Sequence, residues 1–385
     1  MFTRNRPQPK IKNNDGTVRI YDYGVYLPLW KRPKRALLSY LVEPVAAELN
    51  GATLNRFSNH GLAVSWARVL NELGYIVDII NWDDTNFNPT ESYDLVVLHG
   101  AKNYESLKAK LLQQPPIIYF ATGTHWKFSN AQEDARLADV YKRHGVHLPR
   151  DRFVAETEDI ATDAAKGIIA LGNNFIQNTY RKHHPLVMGV NNASYPDNHF
   201  DKVPKDYAQI GNNFLFFAGA GNVHKGLDLL LDSFKDLPDQ HLYIVTVKEP
   251  AFHKAFKREL ALPNIHWIGE VNMRTKEFYD ALDRCAFIIF PSCSEGQAGS
   301  VVEAMNQGLI PIVSKETSLD TEPYGLVLAD NSIPTIQAAI KTMARKSPNE
   351  LAQMAQKVRH VAQTEHSPER FRRDLHRAVK QILAS

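Results

Sequence analysis

Between residues 36 and 329, short aliphatic runs alternate with longer amphipathic ones, and no other feature narrows the possible folds as far. Runs such as NFLFFA and AFIIF offer no polar face. As strands they need apolar cover on both sides, which a parallel sheet with crossover helices provides. The first series predicts strands at 36–42, 76–80, 94–98, 117–121 and 167–171, with helical patterns at 62–73, 104–113 and 129–143 between them. A stretch rich in Asn, Pro and Asp, 191–206 (NNASYPDNHFDKVPKD), then breaks the rhythm and reads as a linker. The second series predicts strands at 213–218, 242–247, 265–269, 286–290, 309–313 and 325–329, with helices near 226–236, 252–260, 275–284 and 299–307. The expected fold class is α/β: two doubly wound, Rossmann-like domains, 35–195 and 196–365, facing a central cleft, with a C-terminal helix within 366–385 packing back on the first. Sheets of this kind bind ligands beyond the carboxyl ends of their strands, so the cleft is the expected site.

Charge is distributed unevenly. The net charge of +3 comes from an arm, residues 1–34, holding eight Lys or Arg against Asp15 and Asp22. Tyr21, Tyr23, Tyr26 and Trp30 interleave with that charge, a mixture that suits a partly ordered, solvated tail folding its aromatics onto the body, or else peripheral contact with an anionic membrane surface or nucleic acid. The remainder has no basic face or readout motif, so nucleic acid is not expected as a partner. No apolar run approaches the length that spans a bilayer, and no secretory signal is expected at the start. Cys285 and Cys293 cannot form a disulfide framework or a thiolate zinc site, which fits a reducing, cytoplasmic setting with no metal. Asp83 and Asp84 read as a solvated turn, and His183 and His184 are adjacent rather than at ligand spacing.

The segment 286–313, AFIIFPSCSEGQAGSVVEAMNQGLIPIV, carries the clearest chemistry. A buried strand leads to Glu295, a loop of small residues and a helix bearing Glu303. A small-residue loop opening a helix presents unpaired N–H groups and a positive dipole end, which suit a phosphate. Glu303 can accept hydrogen bonds from a ribose diol and Glu295 from a sugar hydroxyl. Upstream, GAGNVHKG has His224 where a dinucleotide fingerprint needs its third glycine, and it lacks the Lys-Ser or Lys-Thr of a Walker loop.

Glu295, seven residues, Glu303 and then AMNQGLIPIV resemble the E-x7-E segment of retaining glycosyltransferases of the GT-B fold, of the large family four type. FFAGAGNVHKGLDLLLDSF is similar to that family's glycine loop and Lys-Gly helix start, and IHWIGEV to its base-holding turn. SNHGLAVSWARVLNELGYIVDII and FATGTH resemble, more loosely, its first-half loop and active-site histidine. The resemblance implies transfer of a sugar from a nucleotide-diphosphate donor to a carbohydrate, lipid-linked or small-molecule acceptor. It assigns Lys225, Glu295 and His125 to catalysis. It assigns Gly219, Gly221, Lys225, Val271, Glu295, Gly296, Gln297, Ala298, Gly299, Ser300, Val301 and Glu303 to the donor, and Gly61 to acceptor or phosphate contact. In the implied mechanism Lys225 and the amides 298–301 stabilise the leaving diphosphate, a donor phosphate oxygen takes the acceptor's proton, and no protein nucleophile, cofactor or metal takes part. One departure stands out: the family's usual arginine five residues before the lysine is here Ala220, so another cation, loop amides or a different donor mode must substitute. His224 and Arg274 are the nearby candidates in the sequence. A GT-B epimerase or phosphorylase and a non-catalytic sugar-nucleotide or glycan binder remain the alternatives.

Overall fold

The computed structural model describes residues 9–14, 16–24, 34–54, 58–154 and 158–385. Every strand expected from the sequence is present within a few residues, in two sheets. The first contains β1 (Lys10–Asn14), β2 (Thr17–Tyr23), β3 (Lys34–Tyr40), β4 (Tyr75–Asn81), β5 (Leu95–Leu98), β6 (Ile117–Ala121), β7 (Gly167–Leu171) and β8 (Val187–Val190). Their order is β1-β2-β4-β3-β5-β6-β7-β8, parallel from β4 to β8. The second contains β9 (Asn213–Phe217), β10 (His241–Val245), β11 (Ile265–Trp267), β12 (Phe287–Phe290), β13 (Ile310–Ser314) and β14 (Leu326–Leu328), all parallel, in the order β11-β10-β9-β12-β13-β14. Leu215, Phe216, Ile288, Ile289 and Ile312 are fully buried, as strands covered on both faces require.

The basic N-terminal segment differs from the arm expected of it. β1 and β2 pair antiparallel as a hairpin, and β2 pairs with the edge of β4. Arg19 at its core side makes a two-pronged ion pair with Asp84, Nε–Oδ2 2.6 Å and Nη2–Oδ1 2.9 Å. Asp84 is therefore a buried partner of the hairpin and not part of a solvated turn. Tyr26 and Trp30 lie outside the described residues. No described helix is long and apolar enough to cross a membrane.

The chain passes between domains twice, and the two crossings are tied together. Asn192 follows β8, and its carbonyl accepts from His366 Nδ1 at 3.0 Å; the His366 carbonyl accepts from the Ser194 N–H at 2.9 Å. Beyond His366, the helix Pro368–Ala384 packs on the helix Ser58–Glu72 and on β7 and β8 of the first sheet. The long helix Trp126–His144 belongs to the first domain but reaches the second. Near its end the Arg143 guanidinium contacts the carboxylates of Asp228 and Asp232, which project from the helix Leu227–Phe234. Together these contacts hold the carboxyl ends of the two sheets face to face.

Candidate active site

A cavity of about 430 Å³ opens where the sheets face each other. Its second-domain wall is built from strand ends: Gly219 beyond β9, Val247 beyond β10, Val271 beyond β11 and Glu295 beyond β12. The first domain contributes Thr122 beyond β6, Leu171 at the end of β7 and Asn192 beyond β8. Phe217, Val245, Val271 and Met273 make one wall apolar, a surface suited to the face of a base.

Lys225, Glu295 and Glu303 all line this cavity. Lys225 ends the turn ahead of Gly226, whose left-handed φ of +83° starts the helix Leu227–Phe234. A Cβ at Gly226 would come within 2.4 Å of the Pro291 carbonyl, so only glycine permits this close approach of helix start to strand β12. Lys225 Nζ donates to Glu295 Oε1 at 3.0 Å, and Ser292 Oγ donates to the same oxygen at 3.3 Å. Burial disfavours the Glu295 carboxylate, but the Lys225 and Arg152 charges outweigh it, and the carboxyl lies below its ordinary range. Glu303, in the helix Gly299–Asn306, faces Arg274 with Oε2 3.8 Å from Nη2.

The small-residue loop is busier than the sequence suggests. The Gln297 N–H donates to the Leu171 carbonyl at 2.9 Å, that of Ala298 to the Thr317 carbonyl at 3.4 Å and that of Val301 to the Ala298 carbonyl at 3.1 Å. Gly299 and Ser300, at the first helical turn and on the cavity wall, remain as the outward-facing pair. Gln297 touches the cavity, but its side chain bonds the Asn192 N–H at 2.6 Å and the Ser318 carbonyl at 3.0 Å, fastening one domain to the other. Val301 is fully buried in the second core and does not line the cavity. Gly221 is not among the lining residues either; its N–H donates to Glu249 Oε1 at 2.6 Å. Gly296 has a structural reason to be glycine, since a Cβ there would lie 2.0 Å from the Thr122 carbonyl oxygen across the cleft.

Two first-domain expectations are corrected. His125 is buried and caps the helix Trp126–His144, its Nδ1 accepting from the Lys127 N–H at 3.3 Å. Its ring stacks on His183 at 4.1 Å, and burial together with His183 lowers its pKa to about 4. It is not among the residues lining this cavity; Thr122, three residues earlier at the strand end, lines it instead. Gly61 lies buried within the helix Ser58–Glu72, and Asn59 makes the contact with the cavity instead. Neither candidate to replace the absent arginine is placed for it. Burial lowers the His224 pKa to about 4, leaving a neutral ring whose Nε2 meets the Ser294 carbonyl at 2.6 Å. Arg274 donates to the Tyr195 carbonyl at 3.1 Å and lies 3.7 Å from Asp197.

A family model described as Glycosyl transferases group 1 matches residues 212–346, the stretch from β9 to the helix Ile333–Ala344 that supplies Lys225, Glu295 and Glu303. Over that stretch, the second domain is similar to the group 1 glycosyltransferases. Sucrose-phosphate synthase from Thermosynechococcus elongatus shares its fold with a TM-score of 0.63 at 14% identity, over 92% of this chain and 100% of that one. HepE from Anabaena, solved with UDP and glucose, gives a TM-score of 0.56 at 12% identity, over 91% and 100%. A point mutant of TarM from S. aureus, solved in a complex that includes UDP, gives 0.54 at 13% identity over 76% of this chain, which spans 55% of the TarM chain. These likenesses identify the GT-B fold. No curated protein matches the sequence.

The molecule has a second cavity, also about 430 Å³, against its first domain. Trp82, His99, Phe153 and Glu158 line it, and Thr122, Arg152, Glu295 and Gly296 are shared with the first. Thr122, Asn192 and His99 could have been found as the residues following strands. Arg152, in the loop after the helix Trp126–His144, carries no sequence signal.

Proposed function

We propose that the enzyme is a retaining hexosyltransferase, taking a nucleotide-diphosphate sugar in the first cavity and a carbohydrate or lipid-linked acceptor hydroxyl in the second. The observation that carries this reading is the convergence of Lys225, Glu295, Glu303 and the helix start at Gly299 and Ser300 on one cavity at the strand ends. Val271 and the apolar wall suit the base, Glu303 the ribose diol, and the helix-start amides with Lys225 the diphosphate. HepE, crystallised with UDP and glucose, supports a donor of this class.

In the proposed reaction the bond between the sugar anomeric carbon and the β-phosphate oxygen breaks, and its electron pair stays on the phosphate. Lys225 and the helix-start amides stabilise that charge where it develops. The acceptor oxygen bonds to the anomeric carbon from the same face, and its proton passes to the departing phosphate oxygen. Glu295 is engaged by Lys225 and Ser292, so it orients a sugar hydroxyl and does not attack the sugar. The two cavities meet at Thr122, Glu295 and Gly296, where donor sugar and acceptor hydroxyl have to approach each other.

Incubation with UDP-, GDP- and ADP-sugars over a panel of acceptor glycans tests the reading. Proton NMR of the product is expected to show the donor's anomeric configuration. An inverted product rejects retention. Tight nucleotide-sugar binding without turnover for any acceptor rejects the transferase.

A further inference from the structure

Among the described lining residues, the donor cavity sets two cations, Lys225 and Arg152, against three carboxylates, Glu270, Glu295 and Glu303. Lys225 is already shared with Glu295. A nucleoside diphosphate brings at least two more negative charges, which the second domain's side chains leave largely unanswered. Arg152 alone of these charged groups comes from the first domain, and it lines both cavities, at the junction where a leaving phosphate would stand.

Its position is fixed from both sides. Buried Glu133 accepts from the backbone N–H groups of Asp151 and Arg152 at 3.0 and 2.8 Å, and Asn130 brackets Val154 with bonds of 2.9 and 3.0 Å to its N–H and carbonyl. The aliphatic stem of Arg152 lies on the loop 219–221, since a Cβ at Gly221 would meet its Cγ at 2.6 Å. The charge reaches the site: it helps hold the Glu295 carboxyl low.

Resting on the donor reading above, we propose that Arg152 is the second cation of the diphosphate site, supplied by the opposite domain where Ala220 offers none. Arg152 is then a binding residue, and the diphosphate bridges the two domains. A guanidinium can engage two phosphate oxygens at once, which a lone ammonium does not.

Calorimetric titration of the full chain with UDP, GDP and ADP, and with the matching monophosphates, tests this. Arg152→Ala is expected to weaken diphosphate binding by about ten- to a hundredfold, while monophosphate binding changes by less than about threefold. Arg152→Ala combined with Ala220→Arg is expected to regain part of the diphosphate affinity, which a purely structural role for Arg152 would not predict. Unchanged diphosphate affinity, or an equal loss for both nucleotide classes, overturns the proposal. A wild-type chain that binds none of the three diphosphates overturns the donor reading as well, so the two failures are told apart by the wild-type titration.

Discussion

Replacing Lys225 with Met removes an ammonium 3.0 Å from Glu295, in a pair whose side chains are 11% and 14% exposed. Unit charges at that distance attract by about 5.5 kcal/mol at an effective dielectric near 20. Desolvation of both ions offsets part of this, yet stranding one buried partner typically costs about 3 to 5 kcal/mol. We therefore expect Lys225→Met to lose about 3 kcal/mol of stability near neutral pH. The loss has a definite pH direction. In the wild type, burial resists ionisation of Glu295, nearby cations overcome it, and the folded pKa falls below the ordinary 4.5. The pair's contribution is thus present above the unfolded value and lost as pH falls through the folded one. Without Lys225 the Glu295 carboxyl rises above that range, so the variant's deficit is largest near neutrality and shrinks in acid. Urea unfolding of wild type, Lys225→Met, Glu295→Gln and the double variant, near pH 7 and near pH 4.5, measures this. The double variant is expected to be more stable than the sum of the singles by about 2 kcal/mol at the higher pH. Additive losses that do not change with pH would refute the reasoning.

Three further outcomes follow from contacts around the cleft. Gly296→Ala places a methyl 2.0 Å from the Thr122 carbonyl oxygen, so the domains must separate; small-angle scattering should show a larger radius of gyration, and an unchanged radius would count against the close approach. Glu158 is half-buried, and desolvation pushes its pKa up to about 7 despite hydrogen bonds from the Tyr119 and Tyr180 hydroxyls. Its raised folded pKa gives stability that is complete below about 4.5 and lost as pH rises through about 7, so Glu158→Gln should gain up to about 3 kcal/mol over wild type in alkaline urea titrations and little in acid; parallel pH profiles would contradict this. Arg143→Ala takes the ion-pair partner from Asp228, which is fully buried, while Asp232 keeps His144 and Lys235. A loss of about 3 kcal/mol is expected by urea unfolding, and a loss under about 1 kcal/mol would show that water replaces the guanidinium.

Period and punctuation made the interior of both sheets legible, because strands such as β9 and β12 are buried on both faces and must be continuously apolar. The β1–β2 hairpin was not, since KIKNN and TVRIYDY are polar edge strands whose place depends on Arg19 finding Asp84, sixty-five residues away. The short strand β8 (VMGV) is brief enough to pass as linker. The second-domain wall was readable because its residues sit within turns of a strand end. The first-domain side was not: His125 follows a strand as an active-site residue would, but the next residues wind into a helix that it caps. Arg152 reaches the cleft only because Glu133 and Asn130 pin its loop, a tertiary arrangement with no local pattern.

The central claim is that the second-domain cavity holds a nucleoside diphosphate by its pyrophosphate and ribose. Crystals grown with whichever of UDP, GDP and ADP binds most tightly test it directly. The account predicts phosphate density within hydrogen-bonding distance of Lys225 Nζ, the Arg152 guanidinium and the Gly299 and Ser300 amides, with the ribose diol on Glu303. Nucleotide density elsewhere, or a diphosphate in the cleft that leaves the Lys225–Glu295 pair untouched, would contradict it.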